Sequence, residues 1–379
     1  MEKQSQARKA IERPQTTDEL AAMPDSPATQ EMPQDVAASL ATQRLFIQSS
    51  KEVGSLRTVR ESSSPQREYA LELPPGALLG RPGLSAERLV RSAHDLPRVA
   101  HTEGMRPAWA PLSMQARNAA PGFERHPMQR IKGQRVEPFY GVYSPDDRRV
   151  YYPNAYPWRC VGRIFTWNNW AGGGGGWTWS GSGVLVGPRH VLTAGHVCPW
   201  NAPSWAMKFV PAYWDGAPLL GAGAQSWTSD FRGWNTNDTV AAHDMAVLRL
   251  YDPIGSSLGW MGTKVYDSSW NNGNYWTLAG YPGAIAGAQR PSYQSGIAVL
   301  DSDSDGDAQE LEHHGDATAG DSGGPFFGFW NGSPYAVGAT SGGESITGTP
   351  FGWWNEDNNI EAGGRSMVDL VQWAHANWP

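Results

Sequence analysis

The sequence lacks the features that define several large classes of protein. Its 379 residues include only two cysteines, which allow one disulfide bond but fit none of the paired-cysteine zinc patterns. No run of apolar residues is long enough for a membrane-spanning helix. Lys and Arg number 30 against 37 Asp and Glu, and the net charge of -7 argues against nucleic-acid binding through a basic surface. We therefore expect neither a nucleic acid nor a membrane as a partner.

Residues 1–141 are poor in tryptophan and glycine. They contain one of the 19 tryptophans and 8 of the 44 glycines, together with 14 of the 29 prolines. Their 19 Lys and Arg against 16 Asp and Glu give a net charge of +3, whereas residues 142–379 have 11 against 21 and a net charge of -10. Such a composition buries little apolar area against the entropy of ordering the chain. We predict that residues 1–141 are largely extended or loosely structured, and their opposite charge would let them lie on the later part of the chain.

Residues 142–379 have the pattern of an all-β protein. Short apolar segments rich in Val, Ile, Trp, Tyr and Thr alternate with turns of Gly, Asn, Asp and Pro. The clearest segments are CVGRIFT, SGVLVG, HVLTAG, MAVLRL, YWTLAG, SGIAVL and YAVGATS. So many short strands predict an antiparallel sandwich or a pair of barrels. Only the last dozen residues predict a helix, with an apolar face formed by Met367, Leu370, Val371 and Ala374.

Three segments contain the residue types that nucleophilic catalysis requires. VLTAGHV places His196 after an apolar strand, HDMAVLRL places Asp244 before another, and GDSGGPFF places Ser322 between glycines. A serine hydroxyl needs a base within hydrogen-bond distance, and that base needs a third group to fix its tautomer. Histidine suits the base because its ordinary pKa lies near neutral pH. A carboxylate at the start of an apolar strand can be buried and still orient that histidine.

The glycines around the serine predict an oxyanion hole. Acyl transfer develops negative charge on the former carbonyl oxygen, and two backbone N–H groups directed at one point stabilise it. The run GDSGG, residues 320–324, permits the tight curl that such an arrangement needs. The amides of Gly320 and Ser322 are the candidates.

In this order and at these spacings, TAGHV, DMAVLRL and GDSGGP resemble the signature segments of the chymotrypsin/trypsin-like serine endopeptidases. The resemblance covers residue 142 to the C-terminus and implies His196 as general base, Asp244 as its orienting partner and Ser322 as nucleophile. It also implies two antiparallel six-stranded β-barrels and a C-terminal helix. GDSGG fits the G-x-S-x-G pattern of α/β-hydrolases as well, but there the acid and histidine follow the serine, and the only histidine after it is His375.

The segment that starts at Val142, VYSPDDRRVYYPNAYPWRCVGRI, resembles the mature N-terminus of bacterial glutamyl endopeptidases. The resemblance places the boundary between two regions, residues 1–141 and residues 142–379, where the composition changes. We predict that the first region is a pro-segment, a candidate inhibitor that is removed by cleavage near Gly141–Val142. The alternative is a linker or accessory region that is not cleaved.

Asp321, the residue before the nucleophile, differs from the mostly uncharged residue that bacterial glutamyl endopeptidases (the glutamyl branch of the family) have at this position. In trypsin-like enzymes this carboxylate is buried and neutralised by the new N-terminal amine or by an arginine. An isolated buried charge is strongly unfavourable, so a cationic partner is required. We expect the amine of Val142, or an arginine such as Arg163 or Arg290.

Substrate preference is ambiguous in the sequence. Asp316 lies six residues before Ser322, as does the residue at the base of the specificity pocket in trypsin-like enzymes, which would select Arg or Lys. The glutamyl branch also has an Asp at this offset, and a histidine where this chain has Thr340, so strict glutamyl specificity is not expected. The resemblance implies a wall along which substrate backbone pairs as an added strand. That wall would be formed by Ser341, Gly342 and Gly343.

The two cysteines also match the family. Trypsin-like enzymes often bridge a cysteine just beyond the histidine to a neighbouring strand, which implies a disulfide between Cys160 and Cys198. Disulfides persist in oxidising compartments, so the bridge would support secretion although residues 1–30 contain no visible signal. Two buried free thiols are the alternative.

The acidic segment DSDSDGDAQELE, residues 301–312, satisfies the spacing of an EF-hand calcium loop. Its candidate ligands are Asp301, Asp303, Asp305 and Glu312. The flanking segments are strand-like rather than helical, so a hairpin that turns at Asp305-Gly306 is the favoured interpretation. We expect no required metal or other cofactor.

Taken together, the sequence predicts a secreted serine endopeptidase made as a zymogen. It would hydrolyse protein or peptide substrates through an acyl-enzyme intermediate. The alternative is a catalytically silent, protease-like binding protein on the same fold.

Overall fold

The computed structural model describes most of the chain. The described residues are 13–49, 58–60, 67–72, 80–90, 96–119, 141–170, 176–234, 242–348 and 354–379. Strands dominate them, in agreement with the predicted all-β class.

The described residues before 141 form two short helices and five strands. These are α1 (Thr17–Ala21), α2 (Gln34–Ala41), β1 (Arg44–Ser49), β2 (Thr58–Arg60), β3 (Arg67–Glu72), β4 (Ser85–Arg88) and β5 (His101–Thr102). β1, β3 and β2 form an antiparallel sheet of their own in that order. β4 and β5, in contrast, are hydrogen-bonded to strands of the later part of the chain. In its described ranges, the front segment (residues 1–141) therefore consists of short, mainly extended elements, of which β4 and β5 lie on the later part of the chain.

Six strands form a closed barrel after the boundary between residues 141 and 142, which we call the junction. The next elements along the chain are β6 (Arg149–Val150), β7 (Val161–Trp167), β8 (Trp179–Leu185), β9 (His190–Thr193), β10 (Ala206–Pro211), β11 (Tyr213–Trp214), β12 (Ala217–Pro218), β13 (Ser226–Gly233) and β14 (Ala246–Leu250). The antiparallel order β10–β7–β8–β9–β14–β13 returns to β10 where Lys208 faces Trp227. The Val, Ile and Leu side chains of these strands fill the barrel, which is the arrangement expected for six short strands.

The remaining elements form a second sheet and the last helix. They are α3 (Gly255–Leu258), β15 (Gly262–Lys264), β16 (Trp276–Gly280), β17 (Ser292–Ile297), β18 (Val299–Asp305), β19 (Ala308–His313), β20 (Pro325–Trp330), β21 (Ser333–Gly348), β22 (Trp354–Gly364) and α4 (Arg365–Asn377). The strand order is β18–β19–β22–β21–β20–β16–β17–β6, with β15 added to β21. Only Ala298 separates β17 from β18, so these two segments count as one bent strand. With that count, six antiparallel strands surround the second core, as the family resemblance implied: β16, β17 with β18, β19, β20, β21 and β22.

The predicted C-terminal helix is confirmed as α4. Its four predicted apolar residues, Met367, Leu370, Val371 and Ala374, are fully buried against the strands. Among the helices in the described ranges, none is long and apolar enough to cross a membrane.

Candidate active site

His196 and Asp244 meet at one edge of the barrel. His196 lies in a short 3-10 turn that directly follows β9, and Asp244 lies two residues before β14. β9 and β14 are antiparallel neighbours with Thr193 opposite Ala246, so the end of one strand lies beside the start of the other. The ordinary pairing of two apolar strands therefore brings together the two residues that the sequence predicted as base and orienting acid.

The contact between them uses both carboxylate oxygens of Asp244. His196 Nδ1 lies 2.7 Å from Oδ2, and the backbone N–H of His196 donates to Oδ1 at 2.9 Å. Asp244 is fully buried, whereas the imidazole is partly exposed. With the carboxylate accepting from Nδ1, the proton lies on Nδ1 and Nε2 is the basic nitrogen.

A third donor reaches the same carboxylate from the second sheet. Ser341 of β21 donates its hydroxyl to Asp244 Oδ2 at 2.6 Å. The register of β21 against β22 shifts between Thr340 and Gly342, and a bulge of this kind re-aims the intervening side chain. The sequence had suggested Ser341 only as part of a substrate-binding wall, because an isolated serine carries no pattern that identifies its partner.

Ser322 lies in the tight turn before β20, and two glycines in it have positive φ. Gly320 has φ +104° and Gly323 has φ +79°, both in the region that favours glycine. A Cβ on Gly323 would collide with Thr193 Oγ1 at the end of β9, so the turn packs directly against the strand that precedes His196. Within the described residues, no acceptor lies at hydrogen-bond distance from the amide of Gly320.

Ser182 of β8 holds this turn from the barrel side. Its hydroxyl donates to the carbonyl of Gly320 at 2.7 Å, and its backbone N–H donates to the carbonyl of Ser322 at 2.8 Å. The backbone N–H of Tyr281 donates to the same hydroxyl at 2.8 Å. One barrel residue thus fixes two carbonyls of the turn and links the barrel to the second sheet. No motif in the sequence marks Ser182 for this task.

Asp321 has a cationic partner, but not one of those predicted. Arg148 Nη1 lies 3.2 Å from Asp321 Oδ2, and the guanidinium, of which 1% is exposed, also donates to Thr318 Oγ1 at 2.7 Å. Asp146 binds the other side of the guanidinium, with its Oδ2 3.0 Å from Arg148 Nη2. Burial raises the pKa of Asp321 to about 6, and the charge of Arg148 opposes that rise.

The two arginines named as expected partners of Asp321 lie elsewhere: Arg163 donates to the carbonyl of Ala288, and Arg290 pairs with Asp215. Val142 is joined to Gly141 in this chain, so its amine stays a prediction for the cut form. An arginine was expected as the partner of Asp321 and is found, but it is Arg148 rather than Arg163 or Arg290. The signal was available in the segment VYSPDDRR that starts at Val142, because Asp146 and Arg148 lie there two positions apart.

The carboxylate of Asp316 contacts the backbone of the segment that follows Gly141. Its Oδ1 accepts from the backbone N–H of Tyr143 at 2.7 Å, and its Oδ2 accepts from that of Asp147 at 2.9 Å. The residue is fully buried. Both oxygens thus anchor the segment that contains Arg148, and this arrangement does not favour the trypsin-like interpretation of Asp316 as a selector of Arg or Lys.

Thr340, which the sequence predicted in place of the histidine of glutamyl endopeptidases, is fully buried. Its hydroxyl donates to the carbonyl of Gly324 at 3.1 Å, and Glu361 lies opposite it on β22. His313 Nε2 lies 3.1 Å from Glu361 Oε1, while the N–H of Gly315 donates to His313 Nδ1. Burial raises the pKa of Glu361 well above its ordinary value and lowers that of His313 to about 3, so both favour their neutral forms. No motif in the sequence predicts the buried pair of His313 and Glu361.

Gly342 and Gly343 lie on β21 directly after the bulge, opposite Ile360 and Asn359 of β22. Their place beside Ser341 is consistent with the predicted wall for an extended peptide.

The predicted disulfide is wrong. Cys160 and Cys198 are both free thiols, and both are buried. They lie in different surroundings: the ionisable neighbours of Cys160 include Tyr151 and Tyr156, whereas Cys198 lies near Asp244. Burial raises the pKa of both thiols, which keeps them protonated and poorly reactive. The argument for an oxidising compartment that rested on the bridge no longer holds.

The acidic segment forms the favoured hairpin. β18 and β19 pair with Asp301 opposite Glu312, and the turn falls at Gly306 and Asp307, one residue later than predicted. Within the described ranges, no group of three or more His, Cys, Asp or Glu side chains could hold a metal ion. Asp303 and Asp305 are strand residues of this hairpin, so the segment does not have the loop of an EF-hand.

This fold and this site can be compared with those of known proteins. The family model Trypsin matches residues 152–352, more than half of the chain. The chain therefore belongs to the trypsin family and is a serine endopeptidase by that membership. No curated relative matches the chain in sequence.

Three solved structures are similar to the chain. A Glu endopeptidase in complex with MPD is 20% identical over 62% of this chain and 100% of its own, with a TM-score of 0.46. The protease Anisep from Arthrobacter nicotinovorans is 21% identical over 58% and 99%, with a TM-score of 0.41. The thermostable serine protease AL20 from an extremophilic microorganism is 18% identical over 58% and 98%, also with a TM-score of 0.41.

Proposed function

We propose that the chain hydrolyses peptide bonds through an acyl-enzyme intermediate formed on Ser322. The observation that carries this proposal is the pair of hydrogen bonds from His196 to the buried Asp244, at the barrel edge against which the turn of Ser322 packs. Such a pair gives the imidazole one basic nitrogen and one fixed orientation, which are the two properties that a serine nucleophile requires.

The proposed reaction has two halves. Ser322 Oγ attacks the peptide carbonyl while His196 Nε2 takes its proton, and the amides of Gly320 and Ser322 stabilise the oxyanion. His196 then gives that proton to the leaving amine, and the C–N bond breaks. In the second half, water attacks the acyl-enzyme and His196 Nε2 accepts its proton. His196 then returns this proton to Ser322 Oγ as the ester bond breaks and the acid is released. These steps need no cofactor.

The proposed substrates are proteins or peptides, bound without selection of Arg or Lys by Asp316. The carboxylate of that residue is occupied by two backbone amides, which supports its exclusion from the specificity pocket. Thr340 supplies a neutral hydroxyl where the glutamyl branch has a histidine, so we propose a preference that is not strictly for Glu. A peptide-library cleavage profile measures both points.

We further propose that the enzyme is secreted and made as a zymogen that is cleaved near Gly141–Val142. The uncut front segment would lower activity in this scheme. The abrupt change of composition at this position supports the proposal, and N-terminal sequencing of the active form tests it. An active form that retains residue 1 would contradict the zymogen scheme and leave the proposed chemistry intact.

Hydrolysis by matched serine variants tests the chemistry. Ser322→Ala should abolish peptide hydrolysis without a change in the melting temperature. Ser256→Ala is the control, because Ser256 is an exposed serine on α3. If Ser322→Ala cleaves peptides as fast as the control, hydrolysis does not depend on Ser322 and the proposed function is wrong. If neither the parent chain nor the control cleaves peptides, the silent binding protein becomes the better account.

A further inference from the structure

The outer edge of β13 is shared between a barrel strand and the front segment. β10 pairs with the first two residues of β13, Ser226 and Trp227, whereas β4 runs parallel to the last four, 230–233. The backbone bonds continue beyond β4, because Leu84 donates to Ser229 and Leu89 donates to Gly233, at 2.7 and 2.8 Å. Without the front segment, this stretch of edge would present unpaired N–H and C=O groups.

A second edge is covered in the same way in the second sheet. β5 pairs with β15, and the hydroxyls of Thr102 and Thr263 lie 2.8 Å apart, both buried. Met105 and Trp260 exchange two backbone hydrogen bonds, at 2.9 and 3.0 Å. The front segment therefore completes a strand edge in the barrel and another in the second sheet.

Front-segment side chains also enter the core. Leu89, Ala110 and Met114 are buried in the same cluster as the barrel side chains. The indole N–H of the buried Trp158 donates to the carbonyl of Ser113 at 3.0 Å. If the front segment dissociated, that donor would lose its partner and these contacts would be replaced by cavities or water.

Cleavage at the junction is not needed to supply a charge to the active site. Asp321 Oδ2 already pairs with Arg148 in the continuous chain, so the charge of the carboxylate has a partner before any cut, while Asp321 Oδ1 has no hydrogen-bond partner among the described residues. The Gly141 carbonyl also accepts from Asn359 Nδ2 and from the amide of Ala317, at 2.8 and 3.1 Å. The ordering of the serine turn is thus separate from the fate of the front segment.

From these contacts, which lie in the described residues 84–90 and 101–114, we infer that the front segment is a resident subunit of the enzyme, which stays bound after the junction is cut. This inference rests on the cleavage included in the proposed function, and it concerns the state of the molecule after the cut. The front segment would stay bound to two strand edges, that of β13 and that of β15, and to the core residues beneath them. Ion pairs such as Arg98–Asp307 also cross this contact, but they are exposed and contribute little. Because backbone pairing and apolar burial are less sensitive to salt, the contact persists at high salt.

Retention of the cut segment is measured on the full chain that carries Ser322→Ala. The recognition sequence of a site-specific protease replaces residues 126–132, and each end of the chain carries a different affinity tag. After complete cutting, both pieces should elute together at the size of the uncut chain in 1 M NaCl, in equal amounts. Elution of the front piece alone, while the later piece keeps its thermal transition, would overturn the inference. The catalytic serine is absent throughout, so the outcome does not depend on the proposed chemistry.

Two leucines that flank β4 provide a matched pair of variants in the uncut chain. Leu89 is 7% exposed and Leu84 is 70% exposed. Leu89→Asp should lower the melting temperature by about 5 °C or more, whereas Leu84→Asp should change it by less than about 2 °C. Equal melting temperatures for the two variants would mean that the front segment is not part of the cooperative fold, and this too would overturn the inference.

Discussion

The barrel and the second sheet contribute to the candidate site by different means. The barrel supplies His196 and Asp244 from the adjacent ends of two strands, so ordinary antiparallel pairing positions them. The second sheet supplies Ser322 from a turn with positive φ angles, which is fastened by Ser182 and by the buried pair of Arg148 and Asp321. Strand ends position side chains at no additional cost, whereas an irregular turn needs specific polar contacts to hold one conformation.

The largest effect should come from the barrel side. Asp244→Asn keeps the shape of the side chain but reverses the preferred tautomer of His196, and kcat should fall by about 10⁴-fold. Peptide hydrolysis under saturating substrate measures it, with an unchanged melting temperature as the control for folding. A loss much smaller than this would mean that the His196–Asp244 pair is structural only.

On the second-sheet side, Arg148→Leu should lower kcat by about 10²- to 10³-fold, because the turn that contains the oxyanion amides loses its anchor. KM should change little if Arg148 acts by positioning the turn, and Arg148→Lys should restore part of the rate. The variant should also lose about 3–5 kcal/mol of stability, since it leaves Asp321 buried without a partner.

Arg290→Leu is the matched control for Arg148→Leu. Arg290 also pairs with an aspartate, Asp215, but both side chains are partly exposed, and such pairs contribute about 0–1 kcal/mol. If the two variants have the same kcat and the same stability, the anchoring by Arg148 is refuted.

Ser341→Ala tests the link between the two regions and should have a smaller effect. It removes one of three donors to Asp244, a hydrogen bond to a charged group, so kcat should fall by roughly tenfold. Steady-state kinetics against the parent chain measure the change. A loss as large as that of Asp244→Asn would show that the second sheet, rather than the barrel, positions the pair.

The smallest effect is expected for Asp316→Asn. Since both oxygens of Asp316 accept backbone amides of the junction segment, the ratio of cleavage after Arg to cleavage after Glu should stay unchanged. A peptide library with both residues before the scissile bond measures this ratio. A strong fall in cleavage after Arg would return Asp316 to the specificity pocket.

The same contrast explains what the sequence could predict. His196, Asp244 and Ser322 were found because each lies in a motif beside an apolar strand, and strand pairing brings two of them together. Arg148 was missed because its partner lies 173 residues away and because several arginines were available. Ser182 and Ser341 were missed as anchors because a single hydroxyl has no distinctive spacing.

The cysteines show the limit of inference from spacing. Cys198 follows His196 as in bridged relatives, and Cys160 was the only available partner, yet a disulfide requires the two Cα atoms to approach within a few ångströms. Sequence order does not establish that approach. The packing of the front segment against the core was missed for a related reason. Composition gives the average polarity of a segment and does not identify the few apolar residues, such as Leu89 and Met114, that reach the core.

Covalent labelling of the nucleophile tests the central claim most directly. The active form is incubated with a fluorophosphonate, and the modified residue is identified by peptide mass mapping. A single adduct on Ser322, absent in His196→Ala and present in Ser256→Ala, is the predicted result. No adduct on the folded chain, whether cut or uncut, or an adduct on a different serine would contradict the account.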